Sequence, residues 1–451
     1  MDTQVTKLRT KLAYAVGDIG CNFIWTFVSG FLLLYYTDSV GISAAVVGTM
    51  FMITRVFDGF SDITMGIIIE KTHLRLGKAR PWVLFFSLPL ALSLVAVFHV
   101  PGQLDTGSQN AYMYASYLFL AVICYTAVNL SYNAMLPRFS LTSHDRNVVS
   151  AIKGIAVIVA AMVISVLTPI LLEQFGGSTQ QGAWDKIAMI YAALALILLL
   201  ITFFGVKEKI PVMDAAGNIQ KVPIKKALSL LLRNKYFYLA TLLFLVFYAI
   251  NGLGGITIYY ARDIMGDEKL FGLMSAIQIV PMLIGIPVIP SLYKKYGKRN
   301  IMLIGALISA AGCGLQLLQP ADLTLYLVFA VIRGLGSIIF SMSIFTLASD
   351  IVELDEKRYG MRTEGLVTSV NSVGMKVGTG LGSGMVGWLL AAGRYSAGNT
   401  TQPQTALSAM IWLQIAIPLI LTLLLALFLL FWDIDSVIQK YNAKKEEKAN
   451  V

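Results

Sequence analysis

Residues 81–100 read PWVLFFSLPLALSLVAVFHV and contain no Asp, Glu, Lys or Arg. About twenty apolar residues in an α-helix are enough to span the roughly 30 Å hydrocarbon core of a bilayer. Comparable stretches recur along the chain, without the strict alternation of apolar and polar residues that a barrel strand requires. The sequence therefore predicts an all-α membrane protein.

The composition points the same way. Of the 451 residues, 57% are hydrophobic and 13% are charged, and the mean hydropathy is +0.73. A soluble protein of this length needs a charged surface that this chain lacks. The 38 glycines suit closely packed membrane helices.

Hydropathy and helix-breaking residues predict twelve transmembrane helices. The longest polar stretch, residues 207–236, follows the sixth helix and divides the chain in two. We expect an N-terminal six-helix bundle over 1–206, a cytoplasmic loop over 207–236, a C-terminal six-helix bundle over 237–432 and a cytoplasmic tail over 433–451. The similar loops GKARPW and GKRNIM, after spans two and eight, favour a duplicated bundle. The spans lie near 12–37, 42–70, 81–100, 111–136, 148–173, 187–206, 237–261, 269–293, 300–319, 322–350, 363–393 and 406–432.

Basic residues are distributed unequally between the two sides of the predicted membrane. With both termini in the cytoplasm, 27 Lys and Arg residues fall in inside segments and 4 in outside segments. Basic loops are retained on the cytoplasmic side during insertion, so both termini are expected there. This topology also accounts for the net charge of +10 without a nucleic-acid partner.

Enzyme chemistry is not predicted. The three histidines, His73, His99 and His144, are dispersed, and the spans contain no Ser–His or metal-ligand spacing. The three cysteines show no CxxC spacing. We expect no cofactor apart from a coupling ion.

Charged residues inside the predicted spans carry most of the functional information. A charge near the bilayer centre costs at least ~2.5–3.5 kcal/mol on insertion scales, so it persists where it faces a cavity, a water path or a partner. Structural pairing between helices is the alternative to a binding role. The residues are Asp18, Arg55, Asp58, Asp62, Lys153, Arg333 and Lys376.

The segment RVFDGFSD in span two is the clearest candidate cation site. Asp58 and Asp62 are four residues apart and share one helix face. Two close carboxylates in a low dielectric repel each other unless a cation or a proton lies between them. A hydroxyl such as that of Thr126 would add an oxygen ligand. The alternative is that Asp58 neutralises Arg55 and Asp62 caps a basic loop.

Polar and aromatic residues at helical spacing predict a substrate-binding surface. Carboxylates and amides bond sugar hydroxyls, and an aromatic ring covers the apolar face of a sugar. Lysines would add donors, or a counter-charge for an acidic substrate. Packing between helices is the alternative here too. The candidates are Asp18, Asn22, Trp25, Tyr125, Asn129, Tyr132, Asn133, Lys153 and Lys376.

Several motifs, in this order, resemble the glycoside-pentoside-hexuronide:cation symporters of the major facilitator superfamily. The resemblance extends over nearly the whole chain and implies the major facilitator fold, with two pseudo-symmetric six-helix bundles. The motifs are KLAYAVGDIGCN, LLLYYTD, VGISAAVVGTMF, RVFDGFSDITMG, LGKARPW, YNAMLPRFS, DRNVVSAIKG, RYGMRTEGL and NSVGMK.

This resemblance also implies binding residues. The span-two and span-four motifs imply a site for sodium, lithium or a proton at Asp58, Asp62 and Thr126. The motif NSVGMK adds Asn371 and Ser372 to the substrate candidates, beside Lys376.

The positions that hold the sugar in the family's melibiose carriers have mostly changed in this chain. They match Cys21, Asn22, Asn129, Asn133 and Lys153. The first span is instead similar to the GDxGxNxxW form of glucuronide and of pentoside or xyloside carriers. Melibiose itself is therefore not the expected substrate.

The activity implied by the resemblance is symport of a glycoside, pentoside or hexuronide with H⁺ or Na⁺ across the inner membrane, by alternating access. Because Asn129 replaces a carboxylate beside the family's sodium site, the sequence leans towards protons. Two alternatives stay open: a lysolipid or amphiphile carrier of the same fold, and a sugar sensor that does not transport. A monomer surrounded by membrane lipid is expected.

Overall fold

The computed structural model of the chain describes residues 6–140, 143–208, 234–359, 364–399, 401–434, 436–438 and 441. Most of the predicted central loop and of the predicted tail lies outside these residues. The predicted division into two bundles at 207–236 stays a prediction. Within the described residues the secondary structure is almost entirely helical.

Twelve long helices follow one another in the described part of the chain. Nine of them, α1 to α7, α10 and α12, are long and apolar enough to cross a membrane. The prediction of an all-α membrane protein is confirmed. The bounds are α1 Leu8–Ser39, α2 Ala44–Lys71, α3 Arg80–Val97, α4 Thr106–Phe139, α5 Ser143–Phe175, α6 Gln181–Gly205, α7 Lys235–Ile264, α8 Leu270–Tyr296, α9 Lys298–Gln316, α10 Leu323–Tyr359, α11 Glu364–Ala392 and α12 Gln404–Leu430.

Within the residues that the structure describes, four helices contain π-helical turns that the sequence did not predict. The turns span Tyr35–Ser39 in α1, Phe119–Tyr125 in α4, Tyr260–Ile264 in α7 and Trp412–Ala416 in α12. A π turn inserts an extra residue and so shifts the face on which later side chains lie. The turns in α1, α4 and α7 lie at the candidate sites described below.

Some helices extend beyond the predicted spans because local side chains support their ends. The last part of α10 continues to Tyr359, and Lys357 Nζ there lies 2.7 Å from Glu353 Oε1 one turn earlier. Asp105 caps α4 by accepting bonds from the amides of Gly107 at 3.0 Å and Ser108 at 3.3 Å. Hydrogen bonds lower the pKa of the Asp105 carboxyl, and the bond from the Ser108 hydroxyl has the largest effect.

The chain forms two compact units. The first comprises residues 1–217, 255–275 and 386–409. In it, α1 packs against α5 and α6, and α3 packs against α6. Buried Phe98 joins these helices, because its ring stacks on Phe27 at 4.2 Å and on Trp184 at 5.7 Å. Packing of this kind holds membrane helices together.

The second unit comprises residues 218–254, 276–385 and 410–451. Its core includes Tyr236 of α7, Leu347 of α10 and Trp432 after α12. α9 and α10 approach so closely that a Cβ on Gly336 would lie 2.3 Å from the carbonyl oxygen of Gly305. Only glycine fits at that crossing.

Glu208, which follows α6, caps the N-terminus of α3. Its carboxylate accepts hydrogen bonds from the backbone amides of Lys78 at 2.9 Å, Ala79 at 2.9 Å and Arg80 at 2.7 Å. Arg138 Nη1 lies 3.8 Å from the same carboxylate. A negative charge that bonds the free amides at a helix start stabilises the helix. We call this arrangement the Glu208 cap.

Candidate functional site

Two tyrosines hold α1 and α4 in register. The Tyr14 hydroxyl donates to the Tyr132 carbonyl at 3.1 Å, the Tyr132 hydroxyl donates to the Tyr14 carbonyl at 2.8 Å, and the rings stack at 4.3 Å. Next to them, a Cβ on Gly17 would lie 2.4 Å from Thr202 Oγ1 of α6. These contacts fix the backbone that carries Asp18.

A polar cluster lies beside this tyrosine pair. Lys153 Nζ of α5 donates to Asn133 Oδ1 at 2.7 Å and lies 3.7 Å from Asp18 Oδ1. The same ammonium lies 5.1 Å from the centroid of the Tyr132 ring, within the range of a cation–π contact. The structure thus brings together predicted residues from α1, α4 and α5.

Amide side chains extend the cluster along α1 and α4. Asn133 Nδ2 donates to Asn129 Oδ1 at 3.0 Å, and Asn129 Nδ2 lies 3.5 Å from the Tyr125 hydroxyl. Asn22 Nδ2 donates to the Asp18 carbonyl at 2.9 Å. Amides in such a chain offer both donors and acceptors to a hydroxylated ligand. The Asp18 cluster is defined here as Asp18, Asn22, Asn129, Asn133 and Lys153.

Asp18 is incompletely satisfied. Its residue exposure is 3%, and its Oδ2 atom has no hydrogen-bond partner among the described residues. A buried polar atom without a partner costs about 1–3 kcal/mol, more when it is charged. Such an atom on a polar wall indicates a position at which a ligand hydroxyl would donate.

An aromatic surface adjoins the cluster. The rings of Trp25 on α1 and Tyr125 on α4 lie 4.9 Å apart, tilted by 33°. Trp25 is half-buried. We call these two rings the aromatic shelf, because a half-buried indole can stack on the apolar face of a sugar.

The acidic stripe of α2 lies against this shelf. Arg55 Nη1 donates to Asp58 Oδ2 at 3.1 Å, and the Arg55 guanidinium carbon lies 4.5 Å from the centroid of a Trp25 ring. The predicted alternative, in which Asp58 neutralises Arg55, therefore describes a contact that is present. The contact with Trp25 was not predicted. Asp58 is buried, and Asp62 one turn later is half-buried.

Thr126 directly follows the π turn of α4. Its hydroxyl donates to the Ala121 carbonyl at 3.2 Å, and the Ser61 hydroxyl of α2 donates to the Val122 carbonyl. Ser61 precedes Asp62, so α2 and α4 meet at the candidate cation site. No group of three or more His, Cys, Asp or Glu side chains in the described part of the chain could hold a metal ion. A cation here would combine carboxylates with hydroxyl and carbonyl oxygens.

The remaining predicted substrate residues lie on α11 in the second unit. Ser372 and Lys376 are half-buried there. The side chain of Asn371 lies outside the described residues. The roles of all these predicted residues, in both units, stay predictions.

Sequence reasoning missed a second charged network in the first unit, at the C-terminal end of α1. Arg262 Nη1 donates to Asp38 Oδ2 at 2.5 Å, and Arg262 Nη2 donates to the Tyr395 hydroxyl at 2.5 Å. The Tyr395 hydroxyl lies 2.8 Å and 2.9 Å from the two oxygens of Asp38, and Thr37 Oγ1 lies 2.7 Å from Asp38 Oδ1. We call Asp38, Thr37, Arg262 and Tyr395 the Asp38 network.

The sequence held only part of the signal for that network. The predicted spans 237–261 and 269–293 leave Arg262 in an outside loop, and Asp38 is the last residue of the LLLYYTD motif. Opposite charges at the same predicted side could have been paired. The π turns that carry Asp38 and Arg262 and the loop that carries Tyr395 have no comparable pattern.

Residues 13–436 match the family described as MFS/sugar transport protein. The chain belongs to this family. As a member of the MFS/sugar transport protein family it is a multi-pass membrane transporter, and the resemblance stated from its motifs is confirmed.

Two relatives of this MFS protein are named for a sugar or a sugar conjugate. It is 32% identical over 446 residues to the isoprimeverose transporter of Lactiplantibacillus pentosus, which covers 97% of this chain and 91% of the relative. It is 28% identical over 399 residues to the glucuronide carrier protein homolog of Escherichia coli strain K12, which covers 88% and 86%. One relative is thus named for an uncharged sugar and the other for an acidic one.

A solved structure shares the fold. The D-xylose-proton symporter superposes with a TM-score of 0.66 at 14% identity, over 94% of this chain and 97% of that one. At that identity the likeness concerns the fold alone. The predicted major facilitator fold is confirmed.

Proposed function

We propose that this transporter takes up an uncharged glycoside or pentoside together with a monovalent cation, by alternating access. The observation that carries the proposal is the pairing of Lys153 with Asp18 inside a wall of amides and one aromatic shelf. Hydroxyl groups suit the amides and the free oxygen of Asp18, and a sugar ring suits the shelf.

The charges of the Asp18 cluster favour an uncharged substrate over a hexuronide. Asp18 already opposes the Lys153 ammonium at 3.7 Å. A substrate carboxylate that bound Lys153 would lie close to Asp18, and like charges in a low dielectric repel each other. The cluster therefore offers the lysine as a hydrogen-bond donor rather than as a free counter-charge.

The coupling cation is assigned to Asp58, Asp62 and Thr126. These residues offer hard oxygen atoms of the kind that small cations prefer, and the Val122 carbonyl of the α4 π turn contacts Ser61, the residue before Asp62. The cation would add positive charge beside the two carboxylates of α2, which favours their enclosure in a dry protein interior. A carrier with both its cation and its sugar bound would therefore change between its outward-facing and inward-facing states more readily than a carrier that holds the sugar without the cation.

This assignment predicts the behaviour of two variants. Asp58→Cys or Asp62→Cys should abolish uphill accumulation of sugar, while exchange of sugar across the membrane, measured as counterflow, persists. The measurement is uptake and counterflow in proteoliposomes, with Asp105→Cys as the control, because Asp105 lies outside the helices as the exposed cap of α4. Normal accumulation in both variants would contradict the assignment of the coupling cation to Asp58 and Asp62 on α2.

The cellular setting forms part of the proposal. The excess of basic residues in alternate loops supports an inner-membrane protein with both termini in the cytoplasm. We propose a carrier that acts as a monomer, catalyses no reaction and needs no cofactor besides the coupling ion. The named relatives favour a sugar over a lysolipid or other amphiphile.

The deciding experiment is uptake by purified protein in vesicles under an imposed proton or sodium gradient. The panel is isoprimeverose, a β-xyloside, xylose, melibiose, a β-glucuronide and a lysolipid. Accumulation of an uncharged sugar driven by one gradient is expected, with no competition from the glucuronide. Accumulation of the glucuronide alone would overturn the charge assignment. Movement of the lysolipid without any sugar would overturn the sugar assignment, and equilibration without accumulation would overturn symport.

A further inference from the structure

Glu268 is a carboxylate beside the Asp38 network that has no ion-pair partner among the described residues. It lies in the loop between α7 and α8, and its Oε2 atom accepts a hydrogen bond from the Ser178 hydroxyl at 3.3 Å. Its Oε1 atom is buried and has no hydrogen-bond partner in the part of the chain that the structure describes. A buried charged oxygen without a partner is costly, and a bound proton removes that cost.

Arg262, the cation of the Asp38 network, already serves two other carboxylates. Its Nε and Nη2 atoms donate to the two oxygens of Asp263 at 2.8 Å and 3.0 Å, and its Nη1 atom donates to Asp38 at 2.5 Å. The side chain of Asp38 is 0% exposed and that of Asp263 is 6% exposed. If Glu268 were ionised as well, three carboxylates would share one guanidinium away from water, where like charges repel strongly.

The surroundings of Glu268 favour its protonated form. Burial raises the pKa of the Glu268 carboxyl, and the charges of Asp38 and Asp263 raise it further. The charge of Arg262 and the hydrogen bond from Ser178 act in the opposite direction. The net effect is a pKa above that of a hydrated glutamate.

Other titratable groups lie on the segments around this loop. Glu173 of α5 pairs with Lys269 at 2.7 Å, and His99 pairs with Asp185 of α6 at 3.0 Å. Because these groups also respond to pH, the contribution of Glu268 is isolated by comparison with a Glu268 variant. The groups are His99, Glu173, Asp185, Lys186, Tyr259, Asp267, Lys269, Arg394 and Tyr395.

We propose that Glu268 is a proton-binding site on the outer side, and that its proton keeps α1, α7 and the segment after α11 joined through the Asp38 network. When the proton leaves, the negative charge of Glu268 repels Asp38 and Asp263 and competes with them for Arg262. The network then weakens and these segments separate. This inference rests on the proposed function, which assigns this side to the outside and requires a state that opens there.

The direction of the pH dependence follows from proton linkage. Glu268 binds its proton more tightly in the closed network than in an open, hydrated state, in which a glutamate titrates near its ordinary pKa. The closed form is therefore favoured at low pH, and this preference is lost as the pH rises through the raised pKa of Glu268. Alkaline solution on the outer side should favour separation.

The test measures the distance between the outer segments as a function of pH. Spin labels are attached at Ser43→Cys and Ala397→Cys, two exposed positions close in sequence to Asp38 and Tyr395. The three native cysteines are buried, so the labels attach to the introduced ones. Double electron–electron resonance on the purified full chain in nanodiscs should show a short distance at low pH and a longer one that grows as the pH rises. The measurement needs neither sugar nor coupling cation.

Substitutions around Glu268 should move this transition in opposite directions. Glu268→Gln resembles the protonated carboxyl, so the short distance should persist at every pH. Ser178→Ala removes a hydrogen bond that favours the charged form, so the transition should move to higher pH by about 0.4–1 unit. Asp263→Asn removes a repelling charge, so the transition should move to lower pH. Asp105→Asn is the matched control, because it removes the charge of the exposed α4 cap but keeps a capping side chain, and it should leave the transition unchanged.

The outcomes separate the role of Glu268 from the proposed function. A distance that does not change with pH, or an unaltered transition in Glu268→Gln, would contradict the role of Glu268. Where Glu268→Gln does not fold, any result other than opposite shifts in Ser178→Ala and Asp263→Asn would contradict it. Loss of the transition in Asp105→Asn or in His99→Gln would assign the pH dependence to another group and would also contradict it. Absence of symport in the vesicle assay, with the distance still dependent on pH and on Glu268, would contradict the proposed function alone.

Discussion

Two buried carboxylates on α1, Asp18 and Asp38, each face one cationic side chain, yet their surroundings differ. Asp38 has hydrogen-bonding groups at both oxygens within 2.9 Å, including the Arg262 guanidinium at 2.5 Å. Asp18 has the Lys153 ammonium at 3.7 Å, and its Oδ2 atom has no partner among the described residues. The side chain of Asp38 is 0% exposed and that of Asp18 is 4% exposed.

This difference distinguishes a structural pair from a binding position. A fully hydrogen-bonded charge network is rigid, and removing one member leaves another buried without compensation. A carboxylate that keeps a free oxygen has not used its bonding capacity within the protein. We therefore expect variants of the Asp38 network to change stability and variants of the Asp18 cluster to change substrate affinity.

The largest effect is expected from Arg262→Ala. This change leaves the buried Asp38 carboxylate without its cation, a loss that typically costs about 3–5 kcal/mol. The measurement is the midpoint of thermal unfolding in detergent, which should fall strongly. Lys269→Ala is the control, because Lys269 pairs with Glu173 at 2.7 Å in an exposed position, where an ion pair contributes little to stability. Equal midpoints for both variants would show that the Asp38 network does not stabilise the fold.

The next effect concerns affinity rather than stability. Asp18→Asn removes the charge that opposes Lys153, and we expect uncharged sugars to bind roughly 10- to 100-fold more weakly, which corresponds to about 1.4–2.8 kcal/mol. A β-glucuronide should gain affinity, because Lys153 then lacks its carboxylate partner. Calorimetric titration with isoprimeverose and the glucuronide measures both. A large fall in the unfolding midpoint with unchanged affinities would mean that Asp18 is structural, like Asp38.

A smaller effect sharpens the comparison with a third carboxylate, the Glu208 cap. Glu208 is saturated by three backbone amides, so it should behave like Asp38 and not like Asp18. Glu208→Gln keeps one acceptor but loses the charge at the start of α3, and the expected cost is about 1 kcal/mol. Sugar affinity should not change. A fall in affinity at constant midpoint would break the rule that saturated carboxylates are structural.

The sequence predicted the parts of the site that follow helical periodicity. Asp58 and Asp62 share a face because they are four residues apart, and Asn129 and Asn133 form a chain for the same reason. The order of helices and the fold followed from hydropathy and from motifs. These features depend on local spacing, which a sequence states directly.

The contacts that the sequence could not predict join residues far apart in the chain or depend on irregular turns. Arg55 meets Trp25 of another helix, and no periodic pattern in either helix requires that contact. Arg262 was expected in a loop, but a π turn extends α7 past it and presents its side chain to Asp38. A π turn costs little energy when tertiary contacts compensate for it, so it leaves no strong local signal.

The smallest predicted effect tests whether the hydrogen bonds of the Asp38 network strengthen one another. Tyr395 both donates to Asp38 and accepts from Arg262, and Tyr395→Phe removes only the hydroxyl. The ion pair stays, so we expect a loss of about 0.5–1.5 kcal/mol, as for one hydrogen bond. Tyr112→Phe, which removes a hydroxyl that donates to the Ala96 carbonyl at 3.0 Å, is the control for an isolated bond. A loss in Tyr395→Phe several times that in Tyr112→Phe would mean that the network members strengthen one another, whereas an equal loss would mean that the Tyr395 hydroxyl contributes no more than an isolated hydrogen bond.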